Sequence, residues 1–176
     1  MQYKTTIGAD FLTKELDLNG TIVQLQLWDT AGQEKFHSMG SSFYRSSECC
    51  VLVFDLTEVK SFEIIDSWRT EFLTKLNPKD PETFPFVLLG NKSDLTEERK
   101  INNEDIKKYC EKNKGMPYFE TSAKDNIGVE KAFKEIANLA FKRNSNNDDL
   151  ILPQAPMNLN LKVEGNSKKN VANNPN

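Results

Sequence analysis

Two runs of alternating apolar and polar residues between Leu16 and Trp28 flank the pair Asn19-Gly20. Asn-Gly readily takes the positive φ angles of a two-residue hairpin turn, so the segment predicts an antiparallel strand pair. In the second run Val23, Leu25 and Leu27 alternate with Gln24 and Gln26, the period of a strand with one wet face. Further on, apolar runs at Cys50 to Leu56, Phe86 to Leu89 and Tyr118 to Glu120 alternate with segments of helical period, an order that predicts a parallel sheet. The first helix carries Phe62, Ile65, Trp68, Phe72 and Leu76 on one side, with Ser61 as its expected N-cap and a stop near Asn77-Pro78. The second starts around Asn102 or Asn103 and carries Ile106, Tyr109 and Cys110; the last carries Val129, Ala132, Phe133, Ile136 and Ala140. These stripes read as core that covers the sheet.

Composition narrows this picture without redirecting it. The chain has 176 residues, 38% of them apolar and 28% charged, which fits one ordinary domain and a short tail. A net charge of -3 gives no field that favours nucleic acid, so a nucleic-acid partner is not expected. No apolar run is long enough to span a bilayer, and Met1-Gln2-Tyr3 starts no signal pattern, so the expected location is the cytoplasm. Cys49, Cys50 and Cys110 lack metal-ligand spacing and read as reduced packing residues, and the lone His37 is assigned no chemistry. Past Arg143 the chain turns rich in Asn, Asp, Lys and Pro, so the expected division is a domain over 1–143 and a disordered tail over 144–176.

Three stretches stand where strands end, the place at which open α/β sheets bind ligands. In Trp28-Asp29-Thr30-Ala31-Gly32-Gln33-Glu34 a strand-end carboxylate precedes a Gly whose bare backbone admits a phosphate. An Asp-initiated turn explains this stretch equally well on its own. In Gly90-Asn91-Lys92-Ser93-Asp94 the Asp94 carboxylate can accept two parallel hydrogen bonds from N1 and N2 of guanine, donors that adenine does not offer. Helix capping is the plainer reading of the same residues. The third stretch, Glu120-Thr121-Ser122-Ala123-Lys124, offers a backbone N–H to guanine O6.

In this order and spacing the three stretches resemble the Rab family of small GTPases, a likeness that runs from Tyr3 to about Arg143. Tyr3-Lys4-Thr5-Thr6-Ile7-Gly8-Ala9-Asp10-Phe11 is similar to the first switch of the late-endosomal, lysosomal branch. Asp66-Ser67-Trp68-Arg69 and Phe84-Pro85-Phe86-Val87 point to the same branch. The resemblance implies an α/β small-GTPase (P-loop NTPase) fold, with a mostly parallel sheet, one antiparallel hairpin strand and flanking helices. It implies binding of GTP or GDP with Mg2+, and GTP hydrolysis as a switch in endosomal, lysosomal or phagosomal vesicle traffic. Thr6 would then serve magnesium and the γ-phosphate, Asp29 would hold the metal through water, Gly32 would contact the γ-phosphate and Gln33 would orient the attacking water. Asn91, Lys92 and Asp94 would clasp guanine together with Ser122, Ala123 and Lys124. Phe11, Trp28 and Phe43 match the family's aromatic trio, through which effectors and regulators sense the switches; ordinary packing is the alternative for these three.

The family pattern also has a first strand, a G-x-x-x-x-G-K-S/T loop and a helix ahead of the first switch, and the sequence contains no such loop. That loop wraps phosphate in backbone N–H groups and adds a Lys. Hydrogen bonds to charged groups contribute about 1.5–3 kcal/mol each, so nucleotide binding is expected to be weak or absent. The missing strand belongs between the hairpin and Cys50 to Leu56, so two unpaired edges and low stability or rearrangement are expected there. The last cysteine is Cys110, so no prenylation cysteine and no stable membrane anchor are expected. Two other readings stay open: a nucleotide-independent module that binds effectors or regulators, and a non-functional fragment of a duplicated gene.

Overall fold

The computed structural model describes Thr6, residues 9–31 and residues 44–146. Strands β1 (Ala9–Leu18) and β2 (Thr21–Thr30) pair antiparallel, with Phe11 opposite Trp28 and Leu16 opposite Val23. Asn19 at φ 55° and Gly20 at φ 90° make the turn, as the Asn-Gly pair requires. The Asp17 carboxylate tightens it by accepting from the Gly20 N–H at 2.6 Å.

Strands β3 (Cys50–Asp55), β4 (Phe86–Asn91) and β5 (Tyr118–Glu120) form a parallel sheet in that order. Between β3 and β4 lie α1 (Val59–Glu63) and α2 (Ile65–Leu76); α3 (Asn103–Lys112) joins β4 to β5, and α4 (Val129–Asn146) follows. Successive side chains of a strand face opposite ways, which builds a core on each side of β4. On one side Leu52, Phe54, Phe86 and Leu88 pack with Ile65 and Phe72 of α2 and Ile106 and Cys110 of α3. On the other, Val87 and Leu89 meet Ala132 and Ile136 of α4. Buried on both faces, β4 shows no alternation, as central parallel strands do not.

Several details differ from the sequence reading. The single expected helix before Asn77 is two, because Ile64 interrupts it, and Ser61 is not the cap. Glu58 caps α1 through its side chain, while the Ser61 hydroxyl turns back to the carbonyls of Glu58 and Asp55. The expected stop at Asn77 is present, with that residue left-handed at φ 47°. Helix α4 continues three residues past Arg143, and residues 147–176 lie outside the described part. Among the described residues the hairpin and the parallel sheet are separate sheets, and α4 packs against both. Among the described residues the edge of β3 away from β4 has no strand partner, and Val53 on that strand is 55% exposed.

The cysteines are free thiols, as expected. Burial pushes the Cys49 thiol up to about 12 and raises Cys50 as well, so both are protonated packing groups rather than nucleophiles.

Candidate functional site

The carboxyl ends of β4 and β5 are joined beyond the strands themselves. The Thr121 N–H donates to the Gly90 carbonyl at 2.8 Å, and the Ser93 N–H returns to the Thr121 carbonyl at 3.0 Å. This backbone zipper brings the stretch after β4 against the stretch after β5. Paired N–H and carbonyl contacts between Ser122 and Ile127, at 3.0 and 3.1 Å, then close residues 123–126 into a tight loop. Gly128 makes that closure possible. It stands at φ +70°, and a Cβ there would come within 2.3 Å of the Glu120 carbonyl oxygen, so no other residue fits without moving backbone.

Inside this frame the side chains named from the sequence meet one another. The fully buried Ser122 hydroxyl donates to Asp94 Oδ1 at 2.6 Å and accepts from the Asp125 N–H at 3.1 Å. Lys124 Nζ lies 3.7 Å from Asp94 Oδ2. The Ser122 hydrogen bond, with Lys124 nearby, holds the Asp94 carboxyl below the usual carboxylate range and therefore ionised near neutrality. The Asp94 side chain is only 9% exposed, which fixes its direction. A carboxylate held ionised and oriented by a neighbouring hydroxyl is the acceptor that two parallel N–H donors need.

Asn91 acts as a bridge. Its Oδ1 accepts from the Ala123 N–H at 3.1 Å and from the Thr121 hydroxyl at 3.4 Å. Of the backbone N–H groups in the third stretch, that of Ala123 thus already has an acceptor, so its use by a base would exchange one hydrogen bond for another. Lys92 is left-handed at φ +66°, and its ammonium reaches back to Asp55 Oδ2 at 2.6 Å.

A second layer lies behind these residues and was not legible in the sequence. The Arg99 guanidinium clasps Glu120 by a fork, Nη1 to Oε2 at 3.0 Å and Nη2 to Oε1 at 2.8 Å, while its Nε donates to the Ile101 carbonyl. Tyr118 adds its hydroxyl to Glu120 Oε1 at 3.1 Å. Arg99 chiefly, with burial opposing, holds the Glu120 carboxyl below its ordinary value. The loop after β4 is thereby tied to the last residue of β5. Arg99 and Glu120 lie 21 residues apart and belong to no periodic pattern, so pairing them needed the fold.

At the other group of sequence-named residues, the Thr6 hydroxyl donates to Asp29 Oδ2 at 3.0 Å, although 23 residues separate them. A hydroxyl and a carboxylate oxygen are the hard donors that suit magnesium, which takes few protein ligands and keeps several waters. The chemistry of the pair fits that ion. Gly32, Gln33 and Phe43 lie outside the described residues. Phe11 and Trp28, opposite each other across the hairpin, have ring centroids 4.7 Å apart and are 42% and 45% exposed. Among the described residues no helix is long and apolar enough to cross a membrane.

The family model described as the Ras family matches residues 1–142. The chain is 52% identical over 152 residues to the Ras-related protein Rab-7a of Dictyostelium discoideum, covering 86% of this chain and 73% of that protein. It is 53% identical over 149 residues to the Ypt/Rab-type GTPase ypt7 of Schizosaccharomyces pombe, covering 84% and 72%. With the Ras-related protein Rab7 of Pisum sativum it shares 51% identity over 154 residues, 86% and 74% of the two chains.

Proposed function

The chain belongs to the Ras family, in its Rab branch with the Rab7 and Ypt7 proteins, and from that premise we propose a role for each part of the site. A small GTPase of this branch serves vesicle traffic, binds GTP and GDP with Mg2+, and works through effectors and regulators. In our reading Asp94 accepts N1–H and N2–H of guanine, Asn91 and Ala123 serve the carbonyl and imidazole side of the base, and Ser122 and Lys124 orient Asp94. Lys92 completes the clasp. Thr6 and Asp29 serve magnesium, Gly32 the γ-phosphate, and Gln33 the attacking water. The magnesium supplies charge stabilisation at the phosphates when bound; the part of Thr6 and Asp29 is to present oxygen in fixed positions.

The observation that carries the reading is the Asp94 carboxylate, nearly covered, ionised and aimed by the Ser122 hydroxyl at 2.6 Å. Such a group selects a ligand edge with two adjacent donors. Phe11, Trp28 and Phe43 are assigned to effector and regulator contact, and late endosomal or lysosomal membranes are the proposed place of action. The exposed Phe11 and Trp28 pair, in contact at a tilt of 50°, supports the first assignment, since paired aromatics of this kind anchor protein interfaces.

The test is an NMR titration of the isotope-labelled 176-residue chain, which detects binding into the millimolar range. GDP is expected to shift the amides of Asp94, Ala123 and Lys124, and ADP to leave them in place. Asp94→Asn should reduce GDP affinity about tenfold or more, since it weakens a charged acceptor of two hydrogen bonds. The same variant should favour the xanthine nucleotide, whose O2 accepts from the new amide. Equal response to GDP and ADP, or none to GDP, would remove the proposal.

A further inference from the structure

Asp55 ends β3, where its register partner is Asn91 of the neighbouring strand. Its carboxylate is fixed on both sides. One oxygen, Oδ1, accepts from the Thr57 N–H at 2.8 Å and from the Thr57 hydroxyl at 2.7 Å. The Asp55 N–H donates to Ser61 Oγ at 2.9 Å, so α1 restrains the backbone as well. The other oxygen, Oδ2, lies 2.6 Å from Lys92 Nζ. Lys92 follows the last residue of β4 and occupies the left-handed region, a conformation in which a non-glycine residue is strained. Its stem therefore crosses the carboxyl edge of the sheet from β4 to β3. An exposed ion pair gains little when both long side chains must be ordered to form it; here one partner is short and its carboxylate is already held by two hydrogen bonds from Thr57.

We propose that Asp55 is a positioning residue for the base site: it anchors the Lys92 ammonium over the end of β3, so that the lysine enters the nucleotide clasp already oriented. The inference rests on the assignment of Lys92 to that clasp. Burial works to raise the Asp55 carboxyl, but the Lys92 ammonium and the two Thr57 donors outweigh it and hold the group below its ordinary value. Asn at position 55 keeps an oxygen for Thr57 and removes the charge that holds Lys92, so Asp55→Asn separates the two roles.

The experiment uses the 176-residue chain and its Asp55→Asn, Lys92→Met and doubly substituted forms. Carbon-13 titration of the Asp55 carboxyl should give a value below the ordinary range that moves up in Lys92→Met. Asp55→Asn should weaken GDP binding about 2- to 5-fold in the native background, and leave it unchanged when Lys92 is already Met. Equal losses in both backgrounds, or an ordinary Asp55 titration in a chain that binds GDP, would overturn the positioning role alone. A native chain that ignores GDP would overturn the nucleotide reading and the positioning role with it.

Discussion

Asp94 shows how one residue acquires its chemistry from another 28 positions away. Its carboxylate alone after a strand is a common cap; with the buried Ser122 hydroxyl at 2.6 Å it becomes an oriented, ionised acceptor. The folded-state value lies below the ordinary one, so ionised Asp94 stabilises the fold above about pH 4, and that contribution fades as pH falls through the folded value. Thermal melts from pH 7 down to pH 3 should therefore show a steeper loss of Tm in the native chain than in Asp94→Asn. Parallel curves would mean that Ser122 does not favour the charged form. Asp94 and Ser122 could each be named from the sequence, but the hydrogen bond could not, since it depends on two loops meeting.

At the scale of elements the local signals were strong where chemistry and backbone agree. Asn102 was one of two expected starts for the second helix, and its side chain accepts from the Asp105 N–H at 2.8 Å in an N-cap of extended backbone. Asn102→Ala should cost about 1 kcal/mol, measured as a lower urea midpoint at unchanged m value. The turn at Asn19-Gly20 and the stop at Asn77 were legible for the same reason: both use residues that tolerate positive φ. Ser61 misled because a Ser before an apolar helix suits a cap, yet its hydroxyl was taken by the Glu58 and Asp55 carbonyls. Competition of that kind is decided by what lies above the residue in space, and for Ser61 that is the end of β3.

Across the molecule the packing centres on β4, whose residues Phe86 to Gly90 are all buried. Leu88 is fully covered beneath α2 and α3, and Leu88→Ala should destabilise the fold by about 2–5 kcal/mol, read from denaturant unfolding. A loss below about 1 kcal/mol would show that this side of the core is loosely packed. The opposite side is smaller, with Ala132 and Ile136 against Val87 and Leu89, while Val53 on β3 stays half exposed. Glu48 and Arg143 join the start of β3 to α4 at 3.3 Å without hydrogen-bond geometry, and burial raises the Glu48 carboxyl despite its cationic partner.

Alternation, apolar runs and turn chemistry determined that the chain would form a hairpin, three parallel strands and covering helices, because each of these is a preference of a few neighbouring residues. The same short-range reading marked the stretches at Asp29, at Asn91 to Asp94 and at Ser122 as strand ends, while Thr6 and the roles of Asn91 and Lys92 came only from the resemblance to the Rab family. Tertiary structure alone decided that Arg99 would grip Glu120, that Asp55 would take Lys92, and that Asn91 would bind the Ala123 N–H. Those outcomes join residues far apart in the chain, where the distance between two groups is set by how whole elements pack and by no preference of either residue.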